Sequence, residues 1–206
     1  IAGVGVPQLS AIANAAKVMG IDVVAVPVGT SGTLHGDEVR PVLVEHGEAV
    51  IAVVATGGST NFGIVDDIAS IAALKDEHDF WLHIDGAYGL AAALTAIARA
   101  RFAGIERADS LIVDPHKWLF TPFDSCALLY RDPEIARLAH TQHAEYLDAL
   151  TESTEWNPSD YSVQLTRRAR GLPLWFSLAT FGAQAYRDAI TASIEANRSM
   201  SPPLEA

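Results

Sequence analysis

The sequence predicts an α/β fold with a mostly parallel sheet and helices on both faces. Three observations carry this expectation. Short apolar runs rich in β-branched residues alternate with segments of helical spacing, the pattern of a sheet covered on both sides. Three of those runs end in polar clusters, Thr56–Thr60, His83–Ala87 and Asp114–Lys117, and the carboxyl ends of parallel strands are where such sheets hold ligands. The chain has 206 residues, 50% of them hydrophobic, which is enough for a sizeable core.

Ser10 to Met19 places Ile12, Ala15, Ala16 and Met19 on one side of a helix, with Ser10 as N-cap and Gly20 as stop. Ile21 to Val28 is β-branched and nearly uncharged, hence a buried strand. Gly29 to Gly32 is a turn, and Asp37 to His46 an amphipathic helix with Pro41 in its first turn and Gly47 past its end. Ala49 to Ala55 is the clearest buried strand and runs into a small polar loop. Asp66 and Asp67 are placed to cap the next helix, to about Glu77. Phe80 to Ile84 is a third strand, Leu90 to Arg101 an alanine-rich helix, Ser110 to Val113 a fourth strand and Cys126 to Tyr130 a fifth. Asp132 and Pro133 open a helix to about His143. Thr151 to Asp160 has few apolar anchors and reads as a mobile loop. Val163 to Phe181 has helical character interrupted by Gly171 and Pro173, and Ala183 to Asn197 is a final amphipathic helix.

A formal net charge of −11 argues against nucleic acid or an anionic membrane as partner. The lone cysteine, Cys126, excludes an intrachain disulfide framework and points to a reducing compartment, the cytoplasm. The sequence shows no signal-peptide pattern, no apolar run long enough to span a bilayer, and no expected metal site. Both ends read as cut. Ile1 to Pro7 starts inside apolar sequence without an initiator methionine, and the last helix frays into Ser199–Pro203, so a longer parent polypeptide is expected.

The most informative stretch is Ser110 to Trp118, a short apolar run that breaks at Pro115 and delivers His116 and Lys117 side by side. A lysine just past a buried strand, in low-dielectric surroundings, is readied as a nucleophile toward a carbonyl. Four motifs stand in order around it. They are Thr-Gly-Gly-Ser-Thr-Asn at 56–61, Trp-Leu-His-Ile-Asp-Gly-Ala-Tyr-Gly at 81–89, Ala-Asp-Ser-Leu-Ile-Val-Asp-Pro-His-Lys-Trp at 108–118, and Arg-Arg-Ala-Arg-Gly-Leu-Pro-Leu-Trp at 167–175. Together they resemble the group II pyridoxal-phosphate-dependent amino-acid decarboxylases, the aromatic-amino-acid, histidine and glutamate decarboxylase superfamily, from about Ile12 to Ile190. The pairing of Asp-Pro-His-Lys-Trp with His-x-Asp-x-Ala is the specific part.

The resemblance implies a fold-type I large domain and decarboxylation of an L-amino acid to its amine. Lys117 is implied to hold pyridoxal 5′-phosphate as a Schiff base. Asp85 is implied to keep the cofactor's ring nitrogen protonated, so that the ring can absorb the charge left at Cα. Ala87 matches the small residue under the ring, Thr60 a threonine near the ring substituents, and His116 a ligand on the phosphate side. His83 either lines the same face or is an ordinary strand histidine. Asp114 is implied to position the loop. Tyr146 matches a tyrosine on a catalytic loop that reprotonates Cα, the other reading being a loop anchor. Arg167 and Arg168 match an arginine pair that either binds a carboxylate or fixes the loop by ion pairing, the structural reading being preferred. Trp156 and Trp175 are read as core.

The implied division is 1–145 as part of the cofactor-binding large domain, 146–162 as a mobile catalytic loop, and 163–206 as the helical end leading to a truncated small domain. A homodimer is implied for the full-length form. Two departures stand out. Leu9 occupies the position of a histidine that stacks on the cofactor ring, and the phosphate-gripping loop lies upstream of this sequence. Gly86 replaces a more frequent alanine, which is read as harmless. The rival readings are a carbon–carbon lyase of the sphingosine-phosphate lyase type and a non-catalytic remnant acting as a partner subunit.

Overall fold

The structure, a computed structural model, describes residues 3–4, 9–141 and 157–200. Two short strands, β1 (Gly3–Val4) and β2 (Val24–Ala25), pair in parallel, with α1 (Leu9–Met19) between them in the chain. Gly20 closes α1 at φ +69°, and the Ile21 N–H donates to the Ala16 carbonyl at 3.0 Å, so the expected stop is confirmed. The helix starts at Leu9, one residue ahead of the expected cap position, Ser10. The strand expected over 21–28 contracts to two residues, because only Gly3 and Val4 pair with it among the described residues.

A turn closed by the Gly32 N–H on the Gly29 carbonyl, at 3.0 Å, leads to α2 (Gly36–His46). Its start is fastened by the His35 backbone N–H donating to the Glu38 carboxylate at 2.8 Å. Pro41 sits one turn deeper than expected, where its missing N–H leaves the Asp37 carbonyl without its helical partner.

The main sheet contains β3 (Ala52–Thr56), β4 (Trp81–Asp85), β5 (Ser110–Val113) and β6 (Ala127–Tyr130), in that spatial order. The first three run parallel and β6 antiparallel. Alternation divides its two faces. Val53, Ala55, Leu82 and Ile84 are no more than 1% exposed and pack with Val39 and Leu43 of α2 and with Ile68 and Ile71 of α3 (Ile68–Ala73). Val54 points the other way, against Ile12 of α1 and Val23. Helices therefore cover both faces, and the mostly parallel α/β architecture is as expected. Register puts Val54 opposite His83 and His83 opposite Ser110, then Thr56 opposite Asp85 and Asp85 opposite Ile112. The face that carries Val54 thus also presents Trp81, His83 and Asp85.

Asp67 caps α3 by accepting from the Ser70 N–H at 3.1 Å, but Asp66 does something else. Its buried carboxylate accepts from the Leu34 N–H at 2.9 Å and the Thr56 N–H at 2.6 Å, tying the loop before α2 to the end of β3. The alanine-rich stretch 90–101 is not an α-helix. It forms 3₁₀ turns at Gly89–Leu94 and Arg99–Phe102, because the Thr95 N–H and Oγ1 both end on the Ala92 carbonyl and stop the ladder.

Downstream, α4 (Pro133–His140) ends three residues early, where the Thr141 N–H and hydroxyl both bond the Arg137 carbonyl. Residues 163–170 carry no helix. The last helix, α5 (Gly171–Met200), starts with Pro173 in its first turn and is broken at Gly182 (φ 75°, ψ 157°). Tyr186 and Ile190 of α5 pack on Ala91 and Leu119. Trp175 is 60% exposed and so lies outside the core, contrary to expectation. Tyr146, Trp156 and most of the loop expected at 146–162 lie outside the described residues, of which Pro158–Tyr161 form a 3₁₀ turn. No described helix is long and apolar enough to cross a membrane.

Candidate functional site

The carboxyl ends of β3, β4 and β5 are stitched together through their backbones. The Gly57 N–H donates to the Asp85 carbonyl at 2.7 Å, and the Asp114 N–H to the Ala87 carbonyl at 3.0 Å. Gly58 and Gly89 approach so closely that a Cβ on Gly58 would lie 2.6 Å from the Gly89 Cα, so neither position accepts a side chain. Tyr88 stacks on Trp118 with ring centroids 5.6 Å apart and planes at 15°. Asp85, Ala87, Asp114, His116 and Lys117 are thereby brought to one rim of the sheet.

Asp85 is the last residue of β4. One carboxylate oxygen accepts from the Ala87 N–H at 3.1 Å, and the carboxylate has no other hydrogen-bond partner among the described residues. Gly86, the next residue, is closely packed. A Cβ there would meet the Leu90 Cβ at 2.3 Å, so Leu90 already fills the space of an alanine methyl.

Lys117 Nζ lies 2.9 Å from Asp114 Oδ2, and its side chain is 37% exposed against 11% for Asp114. The lysine is therefore ion-paired and open on one side, where the sequence suggested an apolar enclosure. Asp114 holds the turn twice, since its carbonyl also accepts from the Lys117 N–H at 2.9 Å. Its other carboxylate oxygen, Oδ1, is buried and has no hydrogen-bond partner among the described residues. The Cys126 thiol, next to Asp114, has its pKa pushed up to about 11, first by desolvation and then by that carboxylate.

His116 Nδ1 meets both the Ser125 N–H, at 3.0 Å, and the Ser125 carbonyl; the ring rests edge-on against Phe123 and turns Nε2 toward Asp114 at 3.9 Å. Its Nε2 is the ring nitrogen left for a further partner. Thr60 stands apart from this cluster. It lines a cavity of about 510 Å³ with Phe62, Tyr88, Arg101 and Trp118, beside the rim.

His83 sits deeper on the Asp85 face. Its Nδ1 is 2.8 Å from Ser110 Oγ, which also accepts from Trp81 Nε1 at 2.8 Å. Burial pushes the His83 pKa down, and the Asp85 charge opposes that only in part. Neither Trp81 nor Ser110 stood out in the sequence reading, although the alternate spacing of Trp81, His83 and Asp85 marked the shared face. Arg168 pairs with Asp124 as expected of a structural arginine, and Arg170 joins it at 2.9 Å, a partner the motif did not single out. Arg167 makes no ion pair among the described residues. Leu9 lies in the first turn of α1. Chemically, the rim offers a primary amine, an imidazole nitrogen and two carboxylate oxygens, one on Asp85 and one on Asp114, without a hydrogen-bond partner among the described residues.

Comparisons with known proteins show the family and the fold. A model of the pyridoxal-dependent decarboxylase conserved domain matches residues 7–206. Aromatic-L-amino-acid decarboxylase from Bacillus atrophaeus is 40% identical over 146 residues, covering 70% of this chain and 30% of that enzyme. L-2,4-diaminobutyrate decarboxylase from Acinetobacter baumannii is 31% identical over 189 residues, 89% of this chain and 37% of that one. Among solved structures, Oryza sativa TDC with PLP and tryptamine superposes with a TM-score of 0.80 at 28% identity, over 87% of this chain and 39% of that one. Mouse CSAD gives 0.81 at 27% identity, over 91% and 40%. The chain thus spans roughly a third of the length of the curated relatives it matches, at 30% and 37%.

Proposed function

The chain belongs to the pyridoxal-dependent decarboxylase family, and from that premise we propose that it is part of an enzyme that decarboxylates an L-amino acid to its amine, with pyridoxal 5′-phosphate as cofactor. One observation carries the reading: the adjacent ends of β4 and β5 bring Asp85, Ala87, His116 and Lys117 to a single rim. The donor set fits the cofactor, since Lys117 supplies an amine for its carbonyl and Asp85 a free carboxylate oxygen for a cationic ring nitrogen. When bound, the cofactor's ring takes up the electron pair released as the carboxylate leaves.

The rest of the chemistry falls to the chain. Lys117 anchors the cofactor, and Asp114 holds the Lys117 turn in place. Asp85 keeps a proton on the ring nitrogen by charge. Ala87 leaves room beneath the ring, His116 offers Nε2 on the phosphate side, and Thr60 and His83 line the surroundings. Tyr146 returns a proton to Cα. In this reading residues 1–145 belong to the cofactor domain, 146–162 to the catalytic loop and 163–206 to the start of a small domain. The full-length enzyme acts as a cytoplasmic homodimer.

The test uses the full-length parent enzyme with a panel of L-amino acids, following carbon dioxide, amine and aldehyde. At least one amino acid is expected to yield equal carbon dioxide and amine. Tyr146→Phe is expected to cut amine by about 10²-fold or more, as for loss of a positioned acid, and to raise the aldehyde share under air. Unchanged products in Tyr146→Phe would remove Tyr146 from this role, and no carbon dioxide from any amino acid would overturn the function.

A further inference from the structure

His83, Ser110 and Trp81 form a hydrogen-bond chain whose direction follows from the donors available. An indole N–H only donates, so Ser110 Oγ must accept from Trp81. Ser110 is 5% exposed, and its hydroxyl proton needs an acceptor. The ring nitrogen His83 Nδ1 is the one acceptor its side chain meets among the described residues. Nδ1 is therefore bare, and the imidazole proton sits on Nε2. A protonated imidazole would donate from both nitrogens and leave the Ser110 proton buried without a partner.

This lock bears on Asp85, two residues along β4 on the same face. A cationic His83 would compete for the Asp85 charge. The other charged and titratable groups nearby do not interfere. Asp109, next to Ser110, is held by Lys75, and burial raises the pKa of Tyr130, the β6 partner of Ser110, so it stays neutral. We propose that Ser110 is a positioning residue, directed by Trp81, that locks His83 as the uncharged Nε2–H tautomer and so reserves the Asp85 carboxylate for the cationic ring nitrogen of the bound cofactor. The destination of that charge rests on the function proposed above; the tautomer does not.

The experiment uses the full-length protein labelled with ¹⁵N at histidine, first freed of cofactor and then reloaded. In the cofactor-free wild type, the His83 nitrogen shifts are expected to show a single Nε2–H tautomer. Trp81→Phe frees Ser110 to accept from Nδ1–H and is expected to give a tautomer mixture. Ser110→Ala is expected to do the same and to raise the His83 pKa by about one unit. Ser110→Thr, which keeps the hydroxyl, is expected to restore wild-type shifts. In the reloaded protein, the pH at which the cofactor's visible absorption is lost on acidification should move upward in Trp81→Phe and Ser110→Ala but not in Ser110→Thr. An Nδ1–H tautomer in the wild type, or unchanged His83 shifts in Trp81→Phe, overturns the proposal. Expected shifts in a protein that never takes up pyridoxal phosphate would uphold the lock and overturn the decarboxylase reading instead.

Discussion

Lys117→Arg in the full-length parent enzyme is expected to abolish decarboxylation and the cofactor's visible absorption while leaving the protein folded. Arginine preserves the positive charge beside Asp114, whose carboxylate is only 11% exposed and would be costly to leave unpaired. A guanidinium does not deprotonate in proteins, so it cannot form the covalent link that a lysine amine can. The variant therefore separates the two jobs of Lys117, charge partner and anchor. Circular dichroism and a thermal melt should match the wild type. Activity should be undetectable with every amino acid that the wild type accepts.

Asp66→Ala has the largest expected effect on stability. The carboxylate of Asp66 is 3% exposed as a residue and satisfies two backbone N–H groups, those of Leu34 and Thr56. Alanine leaves both donors buried and unpaired, at a cost of about 2–5 kcal/mol, and asparagine, with one acceptor oxygen, should lose about half of that. Burial raises the Asp66 pKa, and the two backbone donors only partly offset this. A raised carboxyl pKa means that the folded state binds more protons than the unfolded one. Its contribution is fully present below the unfolded value of ~3.9 and is lost as pH climbs through the folded value. The stability gap between wild type and Asp66→Asn should therefore be widest at acid pH and narrow toward neutrality. Urea denaturation across that range measures it.

The sheet was legible because each strand carries its own apolar signal: Ala52–Thr56 and Ser110–Val113 needed no tertiary information to be recognised. The stretch 90–101 was not legible, because alanine composition favours a helix while Gly89 against Gly58 and Thr95 against Ala92 set a tighter turn. Asp66 looked like a cap, since its work depends on Leu34 lying 32 residues away. At the site, the motifs singled out Asp85, Ala87, His116 and Lys117, which the fold brings to one rim. They contain Ser110 and Trp81 but assigned them no role, because their link to His83 exists only once β4 and β5 are in register. They also suggested a lysine in apolar surroundings where the fold supplies Asp114.

The central claim is that Lys117 carries the cofactor, and borohydride reduction followed by peptide mapping tests it most directly. The full-length enzyme, loaded with pyridoxal phosphate and reduced, should lose its visible absorption and yield one pyridoxyl-labelled peptide, containing Asp114 to Trp118 and modified at Lys117. A label on another lysine, or a reduced protein with no label at all, would contradict the account.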